Sequence, residues 1–365
     1  MKSILPVSLI FILLLALPAS GEEKTFEYWI DKATLAETNG TFEEVVASLD
    51  EALKINPSDS CSWNDRGLAL MALGRYNESL ESLYRAIEVD PQFGKAWNNI
   101  GSMYRLRGDH NESLQYFDKA IEADPMTWEA WANKGAAQFD LGRYNESVQA
   151  YDRSLEINPQ ESTSWRGLGK SIVRLGMYNE SIAAFQKAAE INPKDNNTWN
   201  EMGYALISLS RFNESLQCFN RSLELYPLSE MAWVGKGLSQ SGLGNDLDAL
   251  QSAEKALEIN PESDLAWKTK TLALQNLGRY EEAQEAYSQF LNASAKMYEN
   301  ESVTVLMEKA HEAESKGLYG QAVVYYDIAL QMDPENSSLW MEKGLELIEM
   351  HRYNESVQCL DRAIE

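Results

Sequence analysis

Between Ser162 and Pro193 the apolar and small residues fall into two stripes. In the first, Trp165, Leu168, Gly169, Ile172 and Leu175 recur at three- and four-residue spacings, the signature of one helix face. Gly176 then permits a tight turn. From Asn179 onward Ile182, Phe185, Ala188, Ala189 and Ile191 form a second stripe, which ends at Asn192 and Pro193 because proline cannot continue a helix and disfavours helix in the residue before it. The pattern predicts two antiparallel helices, A and B. Small residues (Gly169, Ala188) sit where the helices approach, and large ones (Trp165, Phe185) fill the space between. One pair cannot bury both stripes, so a neighbouring pair must cover what remains.

The same pattern returns along most of the chain. Trp29, Trp63, Trp97, Trp131, Trp165, Trp199, Trp233 and Trp267 are each 34 residues apart, and Trp340 follows after two periods plus five residues. Pro57, Pro91, Pro125, Pro159, Pro193, Pro227 and Pro261 keep the same period, and Pro334 shares the five-residue slip. Glycines at 40, 74, 108, 142, 176, 244, 278 and 317 mark the break inside most units, while Ser210 and His351 stand where a glycine is expected. Asp246 replaces the aromatic that opens most B helices. A fixed period of this length is the mark of a stack of similar structural units.

Trp165, Leu168, Gly169, Gly176, Tyr178, Phe185, Ala188 and Pro193 resemble, at the same spacing, the tetratricopeptide repeat. Units open near Phe26, Ser60, Gly94, Trp128, Ser162, Asn196, Glu230, Asp264, Val303 and Ser337, which makes about ten. The resemblance implies an all-α, right-handed superhelical solenoid of helix-turn-helix repeats. The expected organisation is a leader at 1–21, eight repeats over 26–297, an irregular joint at 298–302 and two further repeats over 303–365, the last incomplete. Ala295 stands where the eighth unit should have its closing proline, and Leu306 where the ninth should have its tryptophan; looser packing is expected there. In the tenth unit Val357, Leu360 and Ile364 would need another covering helix. Either a partner meets that face or the chain is a fragment.

Residues 1–21 differ in kind. Lys2, a largely apolar run from Ile4 to Leu17, and the small residues up to Gly21 read as a secretory signal peptide, with an uncleaved anchor as the alternative. The run is shorter than the roughly 20 residues that span a bilayer comfortably. No later segment is apolar enough to span one. Export would give meaning to a second phased pattern: Asn-Glu-Ser begins at Asn77, Asn111, Asn145, Asn179, Asn213 and Asn354, within twelve Asn-x-Ser/Thr triplets in all. These six asparagines fall at the start of helix B, where an Asn can cap the helix. Capping leaves unexplained the Ser two residues later, at a position that other units fill with Ala249, Ala283 or Ala322. Glycosylation of the six is therefore the expectation.

The net charge of −24 and the absence of any Lys/Arg block argue against nucleic acid as a partner. Cys61, Cys218 and Cys359 read as ordinary structural thiols, and His110, His311 and His351 match no metal-ligand spacing. Repeats account for nearly everything after residue 25, which leaves no stretch of the about 100 residues that an enzyme domain of its own would need. No active site and no cofactor are expected.

What remains is recognition of a protein or peptide. In the family this chain resembles, helices A line a concave groove that commonly holds an extended peptide or partner helix. Arg166, Lys170 and Arg174 recur at four-residue steps on one helix A, and Lys95, Asn98, Asn99, Arg105 and Asn133 extend the set into neighbouring units. The expected function is that of a non-catalytic interaction scaffold outside the cytoplasm, secreted or at the cell surface. The alternative is a glycosylated cell-surface spacer without a specific ligand. A binding module should have an uneven, unit-specific groove; a spacer should have equivalent residues throughout.

Overall fold

The computed structural model describes residues 24–298 and 301–364. The leader at 1–21 and the triplet asparagine Asn300 lie outside the described residues. Among those described there are twenty helices and no strand, so the chain is all-α. Two compact units divide between Ser171 and Ile172.

The first unit holds α1 (Phe26–Thr38), α2 (Phe42–Ile55), α3 (Ser60–Ala72), α4 (Tyr76–Val89), α5 (Gly94–Leu106), α6 (His110–Ala123), α7 (Trp128–Asp140) and α8 (Tyr144–Ile157). The division falls within α9 (Ser162–Arg174). The second unit continues with α10 (Tyr178–Ile191), α11 (Asn196–Ser208), α12 (Phe212–Leu225), α13 (Glu230–Gly242), α14 (Asp246–Ile259), α15 (Asp264–Asn276), α16 (Tyr280–Met297), α17 (Val303–Ser315), α18 (Tyr319–Met332), α19 (Ser337–Glu349) and α20 (Tyr353–Ile364). Odd-numbered helices are A and even-numbered ones B; positions below count from the first residue of each helix A.

Each A helix ends in a turn whose third residue is left-handed, a conformation that glycine adopts without strain. Gly176 has φ +76°, and the two residues that replace a turn glycine, Ser210 and His351, are held at φ +56° and +57°. Eight of the described B helices end at a residue before proline, as at Asn158 (φ −128°, ψ 86°), and α16 ends instead at Tyr298 (φ −111°, ψ 14°).

The structure corrects the role of the tryptophans. The nine phased indoles are only half-buried. The fully buried filler is the position-24 side chain of helix B, for example Phe117, Phe185, Phe219 and Tyr326. Glycine makes room for it: a Cβ on Gly203 would lie 2.7 Å from the Phe219 ring, and one on Gly235 of the next helix A would lie closer still. Tryptophan is instead a clasp between units. Eight of them donate Nε1–H to the carbonyl of the proline six residues earlier, from Trp63 to Pro57 (2.9 Å) through Trp340 to Pro334 (2.8 Å). In four units a position-7 cation lies over its own indole and pairs with an acid sixteen residues back on the preceding helix B. These pairs are Arg66–Asp50 (2.6 Å), Lys134–Asp118 (2.6 Å), Lys270–Glu254 (3.1 Å) and Lys343–Asp327 (2.6 Å).

Two further expectations fail. The phased asparagines do not cap helix B: α4 is capped at Arg75, with Asn77 already inside the helix, and α6, α8, α10 and α12 begin the same way. Nor is the ninth unit loosely packed. Leu306, in the tryptophan position, is fully buried in a cluster with Ala310, Tyr326, Ala329 and Leu339. An aliphatic side chain needs no polar edge at the surface, so it can sink where an indole cannot.

Candidate binding surface

On the helix-A face of the first unit, side-chain amides join three successive repeats. Asn99 Nδ2 donates to Asn64 Oδ1 (2.8 Å), and Asn133 Nδ2 donates to Asn98 Oδ1 (3.0 Å), each bond reaching back 35 residues. Asn64 Nδ2 extends the ladder to Asp65 Oδ1 (3.1 Å). A residue at position 5 thus meets position 6 of the next helix A. Asn98 is only 9 % exposed, so its amide belongs to the packing as much as to a surface. Arg105 spans the same distance to Asp140 (2.8 Å), and Lys95 is exposed. Arg166 and Lys170 are half-buried, with Lys170 Nζ 5.2 Å from the centre of the Phe139 ring; Arg174 is exposed and falls in the second unit. The structure therefore brings Asn98, Asn99 and Asn133 together, and it engages Arg105 with a neighbouring acid.

The six triplet asparagines are exposed at the second residue of a helix B, and the serines that follow them are buried. Those serines have structural work: Ser79, Ser147 and Ser356 donate to the carbonyls of Gly67, Gly135 and Gly344 across the A–B seam (2.7, 2.7 and 2.8 Å). Burial pushes the Cys218 thiol up to about 12 and raises Cys359 as well, which keeps both protonated. Among the described residues no helix is long and apolar enough to cross a membrane.

In the second unit the helix-A face changes character. Position 5 is Val234 on α13 and Lys268 on α15, and position 9 is Leu238 and Leu272. A cleft of ≈ 950 Å³ opens beside α15 and the first half of α16, closed across from them by the α17–α18 turn at Leu318 and by Met350. Sequence reasoning missed it, although the absent proline and the extra residues near 298 were its signal. Further along, Glu346 is 8 % exposed and its Oε2 has no partner. Burial, then the nearby Glu314, Glu349 and Glu342, push its carboxyl up to about 7, against the opposing His311.

The twenty helices of the described residues, paired through small-on-large seams, define a helical repeat scaffold. Models described as tetratricopeptide repeat match residues 64–126, 128–161, 166–195, 200–264 and 272–297, together more than half of the chain. The chain belongs to the tetratricopeptide repeat family, whose members are generally non-catalytic protein-interaction scaffolds. No curated protein sequence matches it. Similar solved structures include a tetratricopeptide repeat protein from Parabacteroides merdae ATCC 43184, 18% identical over 69% of this chain and 100% of that one, with a TM-score of 0.52. Another is pilF of Pseudomonas aeruginosa, 15% identical over 57% and 95%, with a TM-score of 0.53. A third is PilW, titled a widely conserved type IV pilus biogenesis factor, 21% identical over 58% and 98%, also at 0.53. These likenesses concern the fold.

Proposed function

We propose that this chain is an exported scaffold that binds an acidic or carboxylate-bearing segment of a protein partner on the helix-A face of its first unit. The observation that carries the reading is the unevenness of that face. Positions 5 and 6 of helix A carry Asn98, Asn99 and Asn133, and positions 5 and 9 of α9 carry Arg166 and Lys170, whereas position 9 is Leu238 on α13 and Leu272 on α15. A spacer would have no use for such variation. Lys95, Arg166 and Lys170 supply positive charge on a molecule of net charge −24, which favours an acidic partner locally while the whole repels it at long range. Arg105 is already paired with Asp140, and the amide ladder sets the floor on which a partner backbone would lie.

Affinity capture with residues 22–365 tests the reading. A partner retained by the wild type and lost from the Lys95→Ala, Arg166→Ala, Lys170→Ala triple variant, at unchanged helicity, supports it. Equal retention by both removes it. Export and glycosylation are part of the proposal and rest on the apolar leader pattern and on the exposed triplet asparagines, Asn77, Asn111, Asn145, Asn179, Asn213 and Asn354. Intact-mass measurement on protein from its native source is expected to exceed the mass of residues 22–365 by whole sugar units. A mass equal to the bare mature chain rejects glycosylation.

A further inference from the structure

In regular repeats the first half of each helix B is roofed by the next helix A. Val46 and Leu49 of α2 lie under Ala69 and Leu70; Ile182 and Phe185 of α10 lie under Met202, Ala205 and Leu206; Leu250 of α14 lies under Ala273 and Leu274. In these seams position 21, joined by position 24 in two of them, lies below residues at positions 7, 10 and 11 of the next unit. At α16 this arrangement is broken. The helix runs 18 residues where other B helices have 14 or fewer, and the cluster around Leu306 packs against its far half, at Leu291 and Ala295. Its position-24 side chain, Tyr287, donates its hydroxyl to Asp327 of α18 (2.7 Å) and lines the cleft. The near half of α16 lines the ≈ 950 Å³ cleft, where Tyr280 is 72% exposed and Leu272 of α15 is 40% exposed.

The sequence has adapted to this. Position 21 is Val, Leu or Ile in every other unit (Val46, Leu80, Leu114, Val148, Ile182, Leu216, Leu250, Val323, Val357) and Gln284 here, exposed. A surface that must be stable both empty and filled carries polar groups among its apolar ones, as transient interfaces do. Tyr280 to Tyr287 span about two turns of α16, so the cleft offers an occupant a floor of that length.

We propose that this slot is a docking site for an amphipathic helix of a partner protein, which takes the place of the missing helix A. The occupant presents apolar residues at spacings of three and one to Tyr280, Gln284 and Tyr287, and an acidic residue immediately before the first of them. That last feature follows from the ladder of the first unit. Position 5 meets position 6 of the following helix A, and position 5 of α15 is Lys268, exposed and in no ion pair among the described residues. The site is built from residues of the second unit alone and is a second, independent function.

The probe is a helix-stabilised peptide of residues 196–208, the α11 sequence, which carries Glu201 at position 6 and Met202, Ala205 and Leu206 after it. Fluorescence anisotropy with the full mature chain is expected to give saturable binding that weakens by about tenfold or more in Leu272→Glu, Gln284→Glu, two exposed sites whose change leaves the melting temperature in place. Lys268→Glu should weaken binding by several-fold, and a Glu201→Lys peptide should recover it on that variant only. Arg166→Ala, Lys170→Ala should leave peptide binding unchanged, so failure of the first-unit reading and failure of this one are told apart. No binding, binding indifferent to the slot variants, or a chain that self-associates through the slot and excludes the peptide would each overturn the proposal.

Discussion

On α5, Asn98 and Asn99 bond to Asn133 and Asn64 of the repeats on either side; on α15, the residue that shares the register of Asn98 is Lys268, which pairs with nothing among the described residues. Both helices come from the same 34-residue frame, and both have the same shape. The difference lies in what stands next to them. Beside α5 a regular helix A completes the ladder, whereas beside α15 the next repeat has slid along a lengthened α16 and left a cleft. A repeat frame decides the fold, and a local slip in it creates a surface that no single repeat contains.

The sharpest way to break this comparison is to remove the position-24 side chain in each region. Phe219→Ala, between Gly203 and Gly235, should cost about 3–5 kcal/mol in chemical denaturation, since a fully buried ring leaves a cavity. Tyr287→Ala, beside an open cleft, should cost less, about 1–3 kcal/mol, mostly through the lost bond to Asp327. Equal costs would mean that the two seams are packed alike. Trp233→Ala should fall below Phe219→Ala, at about 2 kcal/mol, because the indole is half-buried and gives up one hydrogen bond to Pro227.

Next in size is the ladder. Asn98→Ala should cost about 1–2 kcal/mol, since it leaves the Asn133 amide short of its acceptor in a part-buried place. No loss would mean that the ladder is a surface decoration.

Glu346 gives a test through pH. Its folded carboxyl titrates near 7, above an unfolded value of about 4.3, so the folded state holds more protons between those limits. Stability should fall as pH rises from about 4.3 to about 7 and then level off. Glu346→Gln should remove that slope and exceed the wild type above pH 7 by on the order of 1 kcal/mol. The groups that face it are Glu314, Glu342, Glu349 and His311, and an unchanged slope in the variant would assign the pH dependence to them.

The smallest effect is expected at the two left-handed residues. Ser210→Gly and His351→Gly should each stabilise by about 1 kcal/mol or less, because a side chain at positive φ costs about that much. A loss of stability would show that these side chains contribute more than their strain removes.

Most of the fold was legible because periodicity is a one-dimensional property. The apolar stripes, the prolines and the turn glycines each report a local backbone requirement, and even Ser210 and His351 were visible as departures at the right place. What was not legible depended on which atoms meet once the helices are packed. An indole that donates to a carbonyl six residues earlier and a large indole that fills a core leave the same letter in the same phase. The packing role of the triplet serines was not legible because their acceptors, the glycine carbonyls of helix A, carry no side chain to read. The cleft was hidden for a related reason: Gln284 is an unremarkable residue until it is set against the nine aliphatic residues that share its position.

Thiol labelling compares the two regions at that same position. In a Cys61→Ser background, which removes the exposed native thiol, Gln284→Cys should react with a maleimide in the folded protein about a hundredfold faster than Leu250→Cys, which lies beneath the following helix A. Equal protection of the two would mean that a helix covers α16 as it covers α14, and there would be no slot for a partner to fill.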